Sequence, residues 1–170
     1  MKREEKNGGT KIPLSEEIIS SMKCYFKKAG ATTAVVGVSG GKDSSVVAAL
    51  AVMALGPMNV QLVYLPDQFP AVKVNPGTPE NNRLFDPDVL KLAECLKVKN
   101  GNVWSWSMAH VEGAVHAGAG KLKEAARINL LPRLRTAMLY FHAQQIGSSL
   151  VLNTSNLDEK YVGYFTIGGD

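Results

Sequence analysis

The sequence predicts a doubly wound α/β fold, a parallel β-sheet with helices on both faces. Three observations carry this expectation. Residues 33–38 form a short, continuous, mostly β-branched run and 60–65 a second short, largely apolar one, the pattern of buried strands. Between them, residues 44–55 are rich in Ala and Val and apolar nearly all round, as suits a helix packed against a sheet. A strand, helix and strand at this spacing form a βαβ unit, whose strands are parallel and whose crossover is right-handed.

Each further element follows from local chemistry. Residues 1–13 read as a flexible arm, broken by Gly8-Gly9. A helix then begins after Pro13, with Ser15 as the expected N-cap and Glu16 and Glu17 in its first turn. Ile18, Ile19, Met22, Tyr25 and Phe26 form its apolar side, and Gly30 ends it. Residues 66–87 hold a series of prolines and Asn81-Asn82, so a long loop is expected there. A helix over 88–98 and a strand over 103–108 follow, while 109–120 is rich in small residues and ambiguous. Residues 122–147 are helical in composition, with Pro132 at a start or a kink, and 150–153 form a last buried strand. No repeat or linker divides the chain, so 14–170 reads as one domain, with ligands at the carboxyl ends of its strands.

Composition narrows the function classes. The chain has 170 residues, 45% hydrophobic and 20% charged, the balance of a globular domain with one ordinary core. No run is long and apolar enough to span a membrane, and the charged N-terminus has no apolar stretch behind it to make a signal peptide. Cys24 and Cys95 lack metal-binding spacing and read as buried free thiols in a reducing compartment, hence the cytoplasm. The net charge of +4 is spread along the chain, which disfavours a nucleic-acid platform and suits a small polyanion. His110, His116 and His142 read as structural or surface histidines, and Trp104 and Trp106 as packing residues.

The segment 35–45 holds the most chemistry. Val35-Val36-Gly37-Val38 leads into Ser39-Gly40-Gly41, and Lys42-Asp43-Ser44-Ser45 opens a helix. A strand, a glycine turn and a helix N-terminus bind phosphate, because backbone N–H groups and the helix dipole both point at the anion. Asp43 would repel that phosphate unless a divalent cation lay between them, which points to Mg²⁺ and a nucleotide. A Walker A loop is excluded, because Val36 stands where its first glycine belongs and Asp43 follows Lys42. The dinucleotide fingerprint fails at Ser39. A nucleophile elbow does match over Gly37-Val38-Ser39-Gly40-Gly41, and would make Ser39 a hydrolase nucleophile if a histidine partner existed.

Ser39-Gly40-Gly41-Lys42-Asp43-Ser44 resembles the SGGxDS loop of the ATP-pyrophosphatase (PP-loop) superfamily, whose members cleave ATP between its α and β phosphates. Two later segments narrow the resemblance to NAD synthetases. Asn129-Leu130-Leu131-Pro132-Arg133-Leu134-Arg135 is similar to their N-x-x-[AP]-R-x-R stretch. Asn153-Thr154-Ser155-Asn156-Leu157-Asp158-Glu159, followed by Gly163-Tyr164-Phe165-Thr166, is similar to their [GN]-T-x-N-x-x-E…G-[YF]-[FL]-T segment. By position alone, Glu159 reads equally as a solvated first-turn acid or as a second carboxylate facing Asp43's crevice. Thr154 is by default a turn hydroxyl, and Arg133 and Arg135 a solvated helix face.

The resemblance implies a Rossmann-like, adenine nucleotide α-hydrolase-like fold and the ATP-dependent amidation of deamido-NAD to NAD by ammonia. The acid is adenylated, pyrophosphate leaves, and ammonia displaces AMP, with no covalent nucleophile on the enzyme. It assigns Gly37, Val38, Ser39, Gly40, Gly41, Lys42, Asp43, Ser44 and Thr154 to ATP, Arg133 to deamido-NAD, and Asp43 and Glu159 to Mg²⁺. It also implies a homodimer, for which the apolar stretch 139–146 is a candidate face, and no glutaminase domain ahead of the loop. The sequence departs from the family at Tyr64, where an Arg is usual, at Asp67 after Leu65-Pro66, and at Ile167, where a Lys is usual. Relative to the family the domain is expected to be truncated at its C-terminal end. The alternative expectation is a nucleotide-binding or dimerising remnant without catalysis; another adenylating PP-loop enzyme or a serine hydrolase comes after that.

Overall fold

The computed structural model of the chain describes residues 13–67, 86–120, 123–163 and 166. Residues 1–12 of the expected arm, most of the expected 66–87 loop, and Ile167 lie outside the described residues. In chain order the elements are α1 (Leu14–Ala29), β1 (Thr33–Val38), α2 (Lys42–Leu55), β2 (Val60–Tyr64), α3 (Pro87–Cys95), β3 (Val103–Ser105), α4 (Ala109–Ala119), α5 (Glu124–Ile146), β4 (Ser149–Leu152) and α6 (Leu157–Val162).

The strands form one sheet in the order β3-β2-β1-β4, and every pairing is parallel. Ala34 lies opposite both Val60 and Leu150, and Val63 opposite Trp104. Because side chains alternate along a strand, β1 feeds two cores. Ala34, Val36 and Val38 pack with Phe26 of α1, Ala48 and Ala51 of α2, and Val89 and Ala93 of α3. Val35 turns the other way with Val63, onto Met108 and onto Leu134, Leu139 and Ala143 of α5. Val35, Val36, Val60 and Val63 are fully buried, each worth about 1.5–3 kcal/mol relative to exposure. The expected doubly wound, Rossmann-like architecture is therefore present. From β1 the chain runs to β2 on one side and later returns to β4 on the other, so the strand order reverses between β1 and β4. Ligands of open α/β sheets bind at such a point.

Several local expectations are corrected. Pro13, not Ser15, caps α1: its extended backbone aims its carbonyl at the amides of Glu16 and Glu17, so the helix starts at Leu14 rather than after Ser15. In α2 the helix begins at Lys42, because Gly41 takes the N-cap and accepts from the Ser45 amide. β3 is shorter than expected; Ser107 Oγ accepts the Ala109 amide and turns the chain into α4, which settles the ambiguous 109–120 segment as helix. Pro132 lies inside α5 rather than at its start. Cys24 and Cys95 are free but exposed, not buried. His142, by contrast, is buried, with its ring centroid 5.1 Å from that of Trp104 and 5.2 Å from that of Trp106. The Trp104 indole donates to Gln61 Oε1 at 2.9 Å.

Candidate functional site

At the carboxyl end of β1 the chain turns through Ser39-Gly40-Gly41 into α2. Gly40 sits at φ +82°, a left-handed conformation that a side chain makes costly. Gly41 is the N-cap of α2 and offers no side-chain cap, so the first-turn amides stay open to a ligand. The loop is held from below by Ser44, whose hydroxyl is buried. It accepts the Ser39 amide at 3.3 Å and donates to the Gly41 carbonyl at 3.2 Å. Ser45 Oγ donates to the same carbonyl at 2.7 Å, and the Gly41 amide donates to Ser39 Oγ at 3.3 Å. These bonds shape the turn before any phosphate arrives.

Above the loop lies a cavity of about 590 Å³, within the range of small-molecule sites. Its floor includes Gly37, Val38, Ser39, Gly41, Asp43 and Ser44, and its walls include Thr154 and Glu159 from the end of β4 and the start of α6. Three segments singled out from sequence thus converge at the reversal between β1 and β4. Gly40, Lys42 and Arg133 are not among the lining residues, and Lys42 and Arg133 are exposed. The second and third segments also touch each other: Thr166 Oγ1 donates to Asn129 Oδ1 at 2.9 Å.

Sequence reasoning singled out the segment holding Pro132 and Arg135 but read Arg135 as a solvated side chain, and it gave Thr136 and Leu139 no place in the wall. Pro132, Arg135, Thr136 and Leu139 line the cavity from α5. They lie at spacings of three, four and seven, one face of a helix, and Arg133 is off that face. This periodicity was the available signal. Arg135 Nε donates to the Leu65 carbonyl at 2.9 Å, and its Nη2 pairs with Asp67 Oδ1.

The lining is electronegative. Asp43, Asp67 and Glu159 face it against the guanidinium of Arg135, so a polyphosphate would enter most readily with a divalent cation. Burial above all raises the Tyr64 hydroxyl's pKa; the carboxylates of Asp86 and Asp67 add to the rise and Arg135 opposes it. Glu159 also has a helix-capping role. Its Oε2 accepts the Asn156 amide at 3.1 Å, and Asn156 Oδ1 accepts the Glu159 amide at 2.9 Å, a complete capping box. The other carboxylate oxygen has no hydrogen-bond partner among the described residues. Those residues contain no cluster of three or more Asp, Glu, His or Cys side chains able to hold a metal. Two carboxylates suit a hard cation whose shell is completed by phosphate oxygens and water. No histidine lines the cavity, and Ser39 Oγ lies within reach of Ser44 Oγ and the Gly41 amide instead, so a serine–histidine couple is not assembled.

Comparison with known proteins bears on the family and the fold. An NH3-dependent NAD(+) synthetase of Methanopyrus kandleri is 34% identical over 161 residues, covering 91% of this chain and 50% of its own length. In structure, an NH3-dependent NAD synthetase from Campylobacter jejuni superposes with a TM-score of 0.74 at 26% identity, over 91% of this chain and 61% of that one. An NMN synthetase from Francisella tularensis gives 0.73 at 28% identity, over 91% and 58%. The chain spans about half the length of the curated relatives it matches. A model of the NAD synthase family matches residues 14–170, and the chain belongs to that family.

Proposed function

We propose that the chain carries the nucleotide site of an ATP-dependent NAD synthetase, which converts deamido-NAD to NAD with ammonia. One observation carries the reading: Ser39, Gly41 and Ser44 of the loop and the carboxylates of Asp43 and Glu159 line one cavity at the strand-order reversal. Loop amides and the α2 N-terminus hold the ATP phosphates, with Ser44 fixing the turn and Thr154 contacting the nucleotide. Asp43 and Glu159 would hold Mg²⁺, which would supply positive charge against that of the phosphates. The substrate carboxylate attacks the α-phosphorus, the bond to the β-phosphate breaks, and pyrophosphate leaves. Ammonia then attacks the adenylated carbonyl carbon, AMP departs with the C–O electron pair, and the nitrogen loses a proton. The protein's part is positioning and charge neutralisation.

Arg133, on the exposed side of α5, holds the deamido-NAD. In this reading a second copy packs on α5, whose Tyr140 and Phe141 are exposed large apolar side chains. Free thiols and an ATP substrate support a cytoplasmic location in this reading; no described helix is long and apolar enough to cross a membrane. The test is incubation of the purified chain with Mg-ATP, ammonium and deamido-NAD. Because one structural neighbour is named an NMN synthetase, the deamido form of NMN is assayed as a second acceptor. Amide product and pyrophosphate in equal amounts are expected. Mg-ATP binding that Asp43→Ala abolishes, with no product, would leave only a nucleotide-binding role. Absence of any ATP binding refutes both.

A further inference from the structure

Arg135 is the sole cationic side chain lining the cavity among the described residues, and it already has an anionic partner. Its Nε is anchored by the Leu65 carbonyl just past the end of β2, which aims the guanidinium across the cavity from α5. Asp67, two residues on, takes one Nη2 donor. A guanidinium has five N–H donors, and the rest have no partner among the described residues. The Arg135 side chain is 36% exposed and that of Asp67 57%. A pair so open to water is worth about 0–1 kcal/mol, too little to resist exchange. A phosphate bound by two parallel charge-assisted hydrogen bonds is the stronger partner.

We propose that Asp67 is a built-in stand-in for a ligand phosphate, occupying Arg135 until a nucleotide displaces it. Asp67 thereby raises the concentration of nucleotide needed to fill the site and leaves ligands without phosphate unaffected. The proposal rests on the cavity being the nucleotide site. Arg135 is then a ligand-binding residue and Asp67 its competitor, a role that depends on Asp67 reaching the cavity from just beyond β2.

Calorimetric titration of the whole chain with Mg-ATP, magnesium pyrophosphate and adenosine tests this. Asp67→Asn should tighten Mg-ATP and pyrophosphate by about two- to fivefold, the worth of an exposed ion pair, and leave adenosine unchanged. Arg135→Ala should weaken both phosphate ligands by about tenfold or more. Decisively, Asp67→Asn should give no further gain in the Arg135→Ala background. If the gain persists there, Asp67 merely repels phosphate and the proposal is overturned, as it is by unchanged affinity in Asp67→Asn. Should Arg135→Ala fail to fold, Arg135→Gln serves in the cycle, since it removes the charge that Asp67 and phosphate compete for while keeping much of the side chain's length. Failure of the parent chain and of every variant to bind Mg-ATP would instead overturn the nucleotide site itself.

Discussion

Substitution of Gly37 by Ala tests how the site is built. Gly37 is on β1, at the floor of the cavity, and Leu139 of α5 leans directly on it. A Cβ at Gly37 would lie 3.0 Å from Leu139 Cδ1 and 3.4 Å from Cδ2. Optimal carbon–carbon contacts are about 3.5–4.0 Å, so α5 or the Leu139 side chain must give by a few tenths of an ångström. Overpacking of this size costs about 1–3 kcal/mol, and for a chain of this length each kcal/mol lowers Tm by about 2–4 °C. Leu139→Ala removes the clash along with its own packing. The pair should therefore be non-additive: Gly37→Ala should cost at least about 0.5 kcal/mol less in the Leu139→Ala background. Urea unfolding followed by circular dichroism on the four proteins measures this cycle. A Gly37→Ala cost below about 0.5 kcal/mol, or strict additivity, would refute the idea that this glycine sets the approach of α5 to the sheet.

Three further predictions follow from named contacts. Gly40→Ala should cost about 1–2 kcal/mol, because φ is +82° while the nearest atom to the new Cβ is 3.7 Å away, so conformation rather than collision sets the penalty; thermal melting with and without Mg-ATP reads it. Glu159→Gln should keep the capping box, since Gln also fits that position, and so leave Tm within about 2 °C while weakening Mg²⁺-dependent ATP binding; Glu159→Ala should lose both, with about 1 kcal/mol of stability. Equal Mg²⁺ dependence in parent and Glu159→Gln would remove the carboxylate from the metal's shell. Burial lowers the His142 pKa below its ordinary 6.5, so the unfolded chain takes up the proton first as pH falls. Stability is then full above about pH 6.5 and declines below it until the folded-state pKa is reached; urea midpoints at pH 5 and 7.5 should show a loss that His142→Phe abolishes.

Much of the fold was legible because single residues obey simple periodicities. Val35 and Val36 announce a strand with two dry faces, and Gly40-Gly41 followed by Asp43 announces a phosphate turn. The thiols were misjudged for a geometric reason. Cys24 is two residues from buried Phe26, and Cys95 two from buried Ala93, so each points about 200° away from its helix's core side. Phase, not residue type, decides burial on an amphipathic helix. Arg135 was read as part of a solvated helix face because which face of α5 meets the cavity depends on how the helix docks against Gly37. Asp67 was noticed only as a departure from a family pattern, since its partner is 68 positions away in sequence. Glu159 shows the opposite case: a local cap and a cavity-facing carboxylate coexist in one side chain.

The indoles packed around His142 have an optical consequence. The chain contains two tryptophans, and both rings stand beside that imidazole, with centroids 6.2 Å apart. All tryptophan emission therefore arises from one contact between α5 and the β3 end of the sheet, and neither indole lines the cavity. An imidazolium quenches a neighbouring indole, whereas neutral imidazole does so weakly. Intrinsic fluorescence thus follows the seating of α5 and the charge of one histidine, with no added label and no direct contribution from an adenine bound over the loop.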